Sequence, residues 1–253
     1  MLIPTRNERA NVELLLKRLL PVLPPGSEVL FVDDSDDGTP DQVAAVLARL
    51  GDGPVSVTVV HRQPHERMGG LGTAVLLGLR RARHRWVCVM DADLQHPPET
   101  VGRMLTARTD RGSDCVVASR YCPGGHAGGL AGPGRDLVSR ISTTLARGLF
   151  PHRLRHVSDP MSGMFLIDRH ALDLDRLRPR GFKVLLEILA TSPHLAVAEI
   201  GYQFADRHAG ASNAGLREGL RFCSHVVGLR ASRRSRAGRR APGPITATVE
   251  AGR

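Results

Sequence analysis

An open α/β fold, with a mostly parallel central sheet flanked by helices, is what this 253-residue sequence predicts. Three observations carry that prediction. Short apolar, β-branched runs alternate with amphipathic helical segments, and turn residues punctuate the junctions. Two of the runs stop in paired acids, Asp33-Asp34 and Asp91-Ala92-Asp93. Such a β-α-β-α rhythm, with acids at strand ends, belongs to a doubly wound sheet.

In order, Leu2-Ile3 is the end of a first strand and Pro4-Thr5-Arg6-Asn7-Glu8 the turn out of it. Buried strands usually run about 5–6 residues, so this one is short or is entered late. Asn11 to Leu23 has helical periodicity in Val12, Leu15, Leu16, Leu19, Leu20 and Leu23, and Pro24-Pro25-Gly26 breaks it. A second strand spans Glu28 to Asp34. Thr39 is expected to cap, and Pro40 to start, a helix through Leu50. Val55 to Val60 is a third strand. Gly69-Gly70-Leu71-Gly72 turns into a helix over Ala74 to Arg83; it does not match G-x-G-x-x-G and comes too late for a dinucleotide fingerprint.

Trp86 to Met90 reads as a strand buried on both faces, and it ends in Asp91-Ala92-Asp93. Prolines 97 and 98 with Glu99 suit the first turn of the helix over Thr100 to Arg111, and Cys115 to Ala118 is the next strand. Open α/β sheets bind ligands at the carboxyl ends of their strands. Asp91 and Asp93, at i and i+2, can both face that crevice. Two close carboxylates repel, and a divalent cation removes the conflict; a phosphorylated substrate is the natural partner of such a cation. The alternative is that the pair decorates a loop and caps the next helix.

Beyond Ser119 the character changes. Residues 121–134 form a loop with six glycines and two prolines. Residues 136–149 are amphipathic, with Leu137, Val138, Ile141, Leu145 and Leu149 on one side. Ser158 to Gly163 is a polar turn into a strand over Met164 to Ile167, and Lys183 leads a helix through Ala190. Val197 to Phe204 is a late strand, and a final helix covers about residues 216–229.

Composition excludes several classes. Aromatics at 4% argue against a stacking platform for single-stranded nucleic acid. No run of about 18 apolar residues is present. Cys88, Cys115, Cys122 and Cys223 show no C-x-x-C pairing, which suits a reduced, cytoplasmic protein. Of the net charge of +10, residues 230–253 hold seven arginines against one glutamate. The excess is largely a property of that tail, and only Lys17 and Lys183 are lysines. His152 and His156 are spaced i, i+4, yet no acid or cysteine pattern accompanies them, so a capping or surface role is the simpler assignment.

Seven segments together resemble family 2 glycosyltransferases of the GT-A fold, and within them the polyprenol (dolichol) phosphate mannosyltransferases. They are Pro4 to Asn11; Val32-Asp33-Asp34 with Asp37-Gly38-Thr39; Asp91 to Glu99; Ser119-Arg120-Tyr121; Asp159 to Phe165; Gly181 to Glu187; and Arg207 followed by Gly210 and Ser212. The resemblance spans residues 1–229, taken as one catalytic domain, with residues 230–253 as a basic, disordered tail.

The resemblance implies an inverting, metal-dependent transfer of a sugar from a nucleotide-sugar donor, GDP-mannose, to a polyprenyl phosphate. It assigns Pro4, Thr5, Asn7, Glu8 and Asp33 to the nucleotide, and Asp91, Asp93 and Gln95 to Mg²⁺ or Mn²⁺, with Ala92 between them at the donor. Lys183 and Arg207 would contact the diphosphate region, and Arg120, Arg135 and Ser139 the acceptor phosphate. Asp91, Asp93, Arg120, Lys183 and Arg207 are thereby the expected catalytic set. An ionised lipid phosphate needs no general base to attack the anomeric carbon. Two departures stand out: the second-strand motif is one residue shorter than V-D-D-x-S-x-D-G-T, which bears on base selectivity, and Asn213 stands where the family has lysine.

The last helix and the arginines after it suit docking on anionic headgroups, which would place the protein peripherally at the cytoplasmic face of a membrane, alone or with a membrane-protein partner. A core-packed helix and a solvated tail are the other reading. Two other functions are weighed: a soluble family 2 enzyme with another nucleotide sugar and a small-molecule or polysaccharide acceptor, and a non-catalytic basic protein binding membrane or nucleic acid. Nucleic acid is not expected, because charge alone speaks for it.

Overall fold

The computed structural model describes residues 1–128, 143–144, 147–148, 150, 154, 156–178 and 183–209. Within them lie strands β1 (Leu2–Thr5), β2 (Glu28–Asp33), β3 (Ser56–His61), β4 (Trp86–Val89), β5 (Cys115–Ser119), β6 (Phe165–Asp168) and β7 (Val197–Gly201). The helices are α1 (Arg9–Leu19), α2 (Thr39–Leu50), α3 (Leu71–Arg81), α4 (Thr100–Arg111) and α5 (Val184–Thr191). The strands form one seven-stranded sheet in the order β3-β2-β1-β4-β6-β5-β7. Pairings are parallel except that β6 runs antiparallel to both β4 and β5. The sheet is thus mostly parallel, with helices packed on both faces.

Alternation along the strands explains the two cores. Leu2, Leu30, Val32, Val87 and Val89 point to the face covered by Val75 and Leu79 of α3 and by Leu185 and Leu186 of α5. Ile3, Phe31, Cys88 and Met90 point to the other face, against Val12, Leu15 and Leu16 of α1 and Met104 of α4. Central strands buried on both sides leave no room for polar alternation, which is why their sequences are continuously apolar. Gly78 lets α3 lie directly on β1, since a Cβ there would run into the Leu2 side chain.

Several element ends differ from expectation for local reasons. β1 runs four residues, through Thr5, and α1 gives way at Leu20 to a 3₁₀ turn through Val22. Thr39 is the first helical residue of α2 and not its cap; Gly38, at φ 79, precedes it. The capping oxygen is Asp37 Oδ1, which accepts from Thr39 N at 3.0 Å and Thr39 Oγ1 at 2.5 Å. Prolines 97 and 98 lie just before α4, which begins at Thr100, and their carbonyls already accept from Thr100 N and Val101 N at 3.0 Å. β7 stops at Gly201, and Gln203 then bridges to His126. Among the described residues no helix is long and apolar enough to cross a membrane. Arg135, Ser139, His152, Gly181, Phe182, Gly210, most of the expected helix over 136–149, the final helix over 216–229 and the tail lie outside the described residues.

Candidate active site

The tip of β4 turns sharply at Leu94, a non-glycine residue at φ 63. Burial of the Leu94 side chain offsets the cost of that backbone conformation. Asp93 Oδ1 accepts from Gln95 N at 3.0 Å, closing the turn. Its Oδ2 lies 2.7 Å from Arg207 Nη2. That guanidinium also approaches Gln95 Oε1 at 3.5 Å and Glu8 Oε1 at 3.9 Å. The segment carrying Arg207 is itself bonded to the turn: Ala205 N donates to Gln95 O at 3.0 Å, and His208 N to Asp93 O at 3.3 Å.

Asp91 is the more open of the pair, its side chain 38% exposed against 7% for Asp93. Asp91 Oδ2 lies 3.5 Å from His96 Nε2, and the buried Tyr202 hydroxyl fixes His96 through Nδ1 at 2.9 Å. Burial pushes the Asp93 carboxyl above its ordinary range and the Asp91 charge pushes it further. Gly163 completes this wall, since a Cβ there would sit 2.5 Å from Asp91 Oδ2 and 2.8 Å from His96 Nε2. The two carboxylates of the D-x-D therefore lie close enough for the charge of one to act on the other.

Burial likewise lifts Glu8 to about 7, outweighing the bond from Asn11 Nδ2, with Asp93 and Asp91 adding to the rise. The folded state thus binds the Glu8 proton before the unfolded chain does as pH falls. The charged carboxylate weakens the fold above about pH 7, and that penalty fades toward the ordinary value of 4.5. Glu8→Gln should accordingly melt higher than the parent at about pH 8 and equally at about pH 4. Scanning calorimetry at both pH values checks this; an offset independent of pH would refute it.

Lys183 senses both Asp91 and a second charged group, the Arg120–Asp159 pair. Arg120, at the end of β5, makes a buried bidentate pair with Asp159, Nε to Oδ2 at 2.7 Å and Nη2 to Oδ1 at 2.9 Å. Burial opposes the Arg120 charge, but the bonds and charge of Asp159 outweigh it and hold the guanidinium ionised. Its carbon also lies 5.4 Å from the Phe204 ring centroid. Glu199 on β7 anchors the opposite side of this turn, accepting from Ser158 N and Ser158 Oγ at 2.9 Å and from Asp159 N at 3.2 Å. Lys183 Nζ donates to Met161 O at 3.4 Å. Burial, then the Arg120 charge, bring its ammonium down to about 8, with Asp159 and Asp91 pulling the other way.

At the carboxyl ends of β1 to β3 the expected nucleotide residues are knitted to one another. Thr5 Oγ1 donates to Asp33 Oδ1 at 2.7 Å, and Ser35 Oγ to the same oxygen at 2.6 Å. Asn7, at φ 59, receives Asp36 N on Oδ1 at 3.0 Å and donates its own N–H to Ser35 Oγ at 2.8 Å. Pro4 and Ala92 are buried. Behind this edge, the buried Arg62 grips Asp34 through Nε at 2.6 Å and binds the Gly70 carbonyl at 3.1 Å. The glycine-rich turn is therefore tied to β2, in keeping with its reading as a tight turn into a helix.

Of the expected site residues, Glu8, Asp91, Asp93, Gln95 and Arg207 come together around the β4 tip, with Lys183 and Arg120 on the flank beyond Asp91. Pro4, Thr5, Asn7 and Asp33 form the neighbouring edge. Sequence reasoning missed Arg62, His61, Tyr202 and Glu199 and gave Asp159 no role. A lone arginine or glutamate within a strand carries no spacing signal, although an acid inside the Asp159 motif could have been paired with an arginine ending the preceding strand.

Among the described residues no three His, Cys, Asp or Glu side chains gather to hold a metal unaided. Asp91 and Asp93 supply hard oxygens whose charges press on each other. That donor set fits a cation bound by one or two carboxylates and completed by substrate phosphates.

Comparison with known proteins agrees with this geometry. Glycosyl transferase family 2 matches residues 1–174. A dolichol-phosphate mannosyltransferase of Pyrococcus furiosus is 33% identical over 231 residues, which make up 90% of this chain and 62% of that protein. The Saccharomyces cerevisiae dolichol-phosphate mannosyltransferase is 34% identical over 229 residues, 84% of this chain and 79% of the relative. Polyprenol monophosphomannose synthase of Mycolicibacterium smegmatis is 32% identical, again over 84% and 79%. In fold, the chain is similar to glucosyl-3-phosphoglycerate synthase from Mycobacterium tuberculosis, crystallised with Mn²⁺, UDP-glucose and glycerol 3-phosphate. The TM-score is 0.65 at 22% identity, covering 92% of this chain and 78% of the other. The sheet, the acid-tipped central strand and these matches lead to one assignment: the chain belongs to glycosyl transferase family 2.

Proposed function

We propose that this protein transfers mannose from GDP-mannose to a polyprenyl phosphate, with inversion at the anomeric carbon. The observation that carries the reading is the juxtaposition of two mutually repelling carboxylates, Asp91 and Asp93, with Arg207, Lys183 and Arg120 at the carboxyl edge of the sheet. The similarity to enzymes named for dolichol and polyprenol phosphate supports the choice of acceptor.

Asp91, Asp93 and the Gln95 amide oxygen would hold Mg²⁺ or Mn²⁺, hard ligands for a hard cation. A cation held there would neutralise the charge that gathers on the departing diphosphate. Pro4, Thr5, Asn7 and Glu8 frame the nucleoside, with Asp33 behind them, bonded to Thr5 and His61. Arg207 and Lys183 exchange contacts within the protein for diphosphate oxygens. An acceptor phosphate oxygen forms the new bond to the anomeric carbon while the bond to the donor's β-phosphate oxygen breaks, and the nucleoside diphosphate leaves. No proton need be removed, because the nucleophile is already an anion. Arg120, held by Asp159, is poised to steer that anion; Arg135 and Ser139, outside the described residues, complete the acceptor contacts. Residues 1–229 act as the catalytic domain, and the basic residues 230–253 hold it at the cytoplasmic face of the membrane.

Purified protein with Mn²⁺, radiolabelled GDP-mannose or UDP-glucose, and polyprenyl phosphate tests this directly. Label should enter the organic phase from GDP-mannose, depend on the lipid, and vanish on chelation. Label that stays aqueous, or enters only from UDP-glucose, would overturn the donor or acceptor assignment.

A further inference from the structure

The edge formed by β1, β2 and β3 holds a histidine that no motif assigns. Thr5, Asp33 and His61 are in register on adjacent strands and project to one face at the end where open sheets receive ligands. Asp33 is fully buried, and its oxygens are taken by Thr5 Oγ1, Ser35 Oγ, Ser35 N and His61 Nδ1. It is closed to direct contact. His61, 2.7 Å from Asp33 Oδ2, keeps 36% of its side chain exposed. Arg62 beside it turns inward to Asp34. Of these groups at the edge, the imidazole is the polar ring left facing outward.

We propose that His61 reads the base of the donor nucleotide and selects guanine or uracil over adenine or cytosine. The inference rests on the reading of this crevice as a nucleotide-sugar site. Three of the four groups meeting Asp33 are donors, so its carboxylate acts as the acceptor and the fourth, Nδ1, carries the proton. A ring carrying its single proton on Nδ1 presents a lone pair on Nε2. Guanine and uracil offer a ring N–H on the edge such a lone pair meets, whereas adenine and cytosine have a ring nitrogen lone pair there. The adjoining turn is rigid enough for this to discriminate. Arg67 binds Asp36 Oδ1 at 2.7 Å and Ser35 O at 3.1 Å, and Asn7 holds the other side. A fixed polar group left facing the wrong edge cannot readjust, which is what makes hydrogen-bonded sites selective.

Calorimetric binding of GDP, UDP, ADP and CDP, each with Mn²⁺, to the full chain tests the assignment. The parent should favour GDP or UDP over ADP and CDP. His61→Ala should weaken the favoured nucleotides about three- to ten-fold, the scale of one neutral hydrogen bond, and leave ADP and CDP unchanged. His61→Gln, which can place an amide oxygen there while keeping a donor near Asp33, should retain part of the preference and guards against misfolding of the alanine variant. Equal losses on all four nucleotides, or no loss in either folded variant, would overturn the proposal. Failure of organic-phase labelling would overturn the lipid reading and leave these binding ratios standing.

Discussion

Asp93→Ala should lower transfer by about three orders of magnitude or more, the scale on which electrostatic stabilisation of a leaving group acts. The fold should hardly notice. Burial and the Asp91 charge already lift the Asp93 carboxyl, so an ionised Asp93 is a cost to folding that the substitution removes. Against that stands the lost pair with Arg207 at 2.7 Å, whose guanidinium keeps Glu8 and Gln95 within reach. Thermal melting and single-turnover rates at saturating donor separate the two effects. An active enzyme, or an inactive one that melts far lower, would contradict the role given to this carboxylate.

Asp159→Ala should do the opposite first. Asp159 is fully buried and Arg120 nearly so, and removing one partner of such a pair strands the other charge in the interior. The expected cost is about 3–5 kcal/mol, or roughly 10 °C in melting temperature for a chain of this length. Transfer should be lost as well, because Arg120 would no longer be held. The double variant Arg120→Met with Asp159→Leu divides these consequences. It should regain most of the stability, since an apolar pair of similar bulk replaces a buried ion pair at little cost, yet remain inactive. A double variant that recovers transfer would remove Arg120 from the reaction.

The sheet and the β4 tip were legible because they obey strong local rules. Trp86 to Val89 is apolar on both faces, and Asp91 and Asp93 interrupt it abruptly; strand and ligand edge follow from that alone. α4 was placed to the residue, Thr100 to Arg111. What could not be read were contacts across many residues of chain. Glu199 meets Ser158, Arg62 meets Asp34, and Tyr202 meets His96, and in each case neither partner advertises the other in sequence. The Asp33 assignment shows the same limit: the motif marks the position, while the pairing of Asp33 with Thr5 and His61 decides which side chain of that edge remains open.

The reversal of β6 has a consequence for how this edge was assembled. In a sheet of like-directed strands, the ligand rim receives only outgoing chain, each strand delivering its loop and departing. β6 enters from the rim, between β4 and β5, so its approach segment lands between two outgoing ends. That inbound passage brings Gly163 against Asp91 and Asp159 against Arg120. One backward strand thus acts as a splice, joining the Asp91 part and the Arg120 part of the rim through a single short stretch of chain.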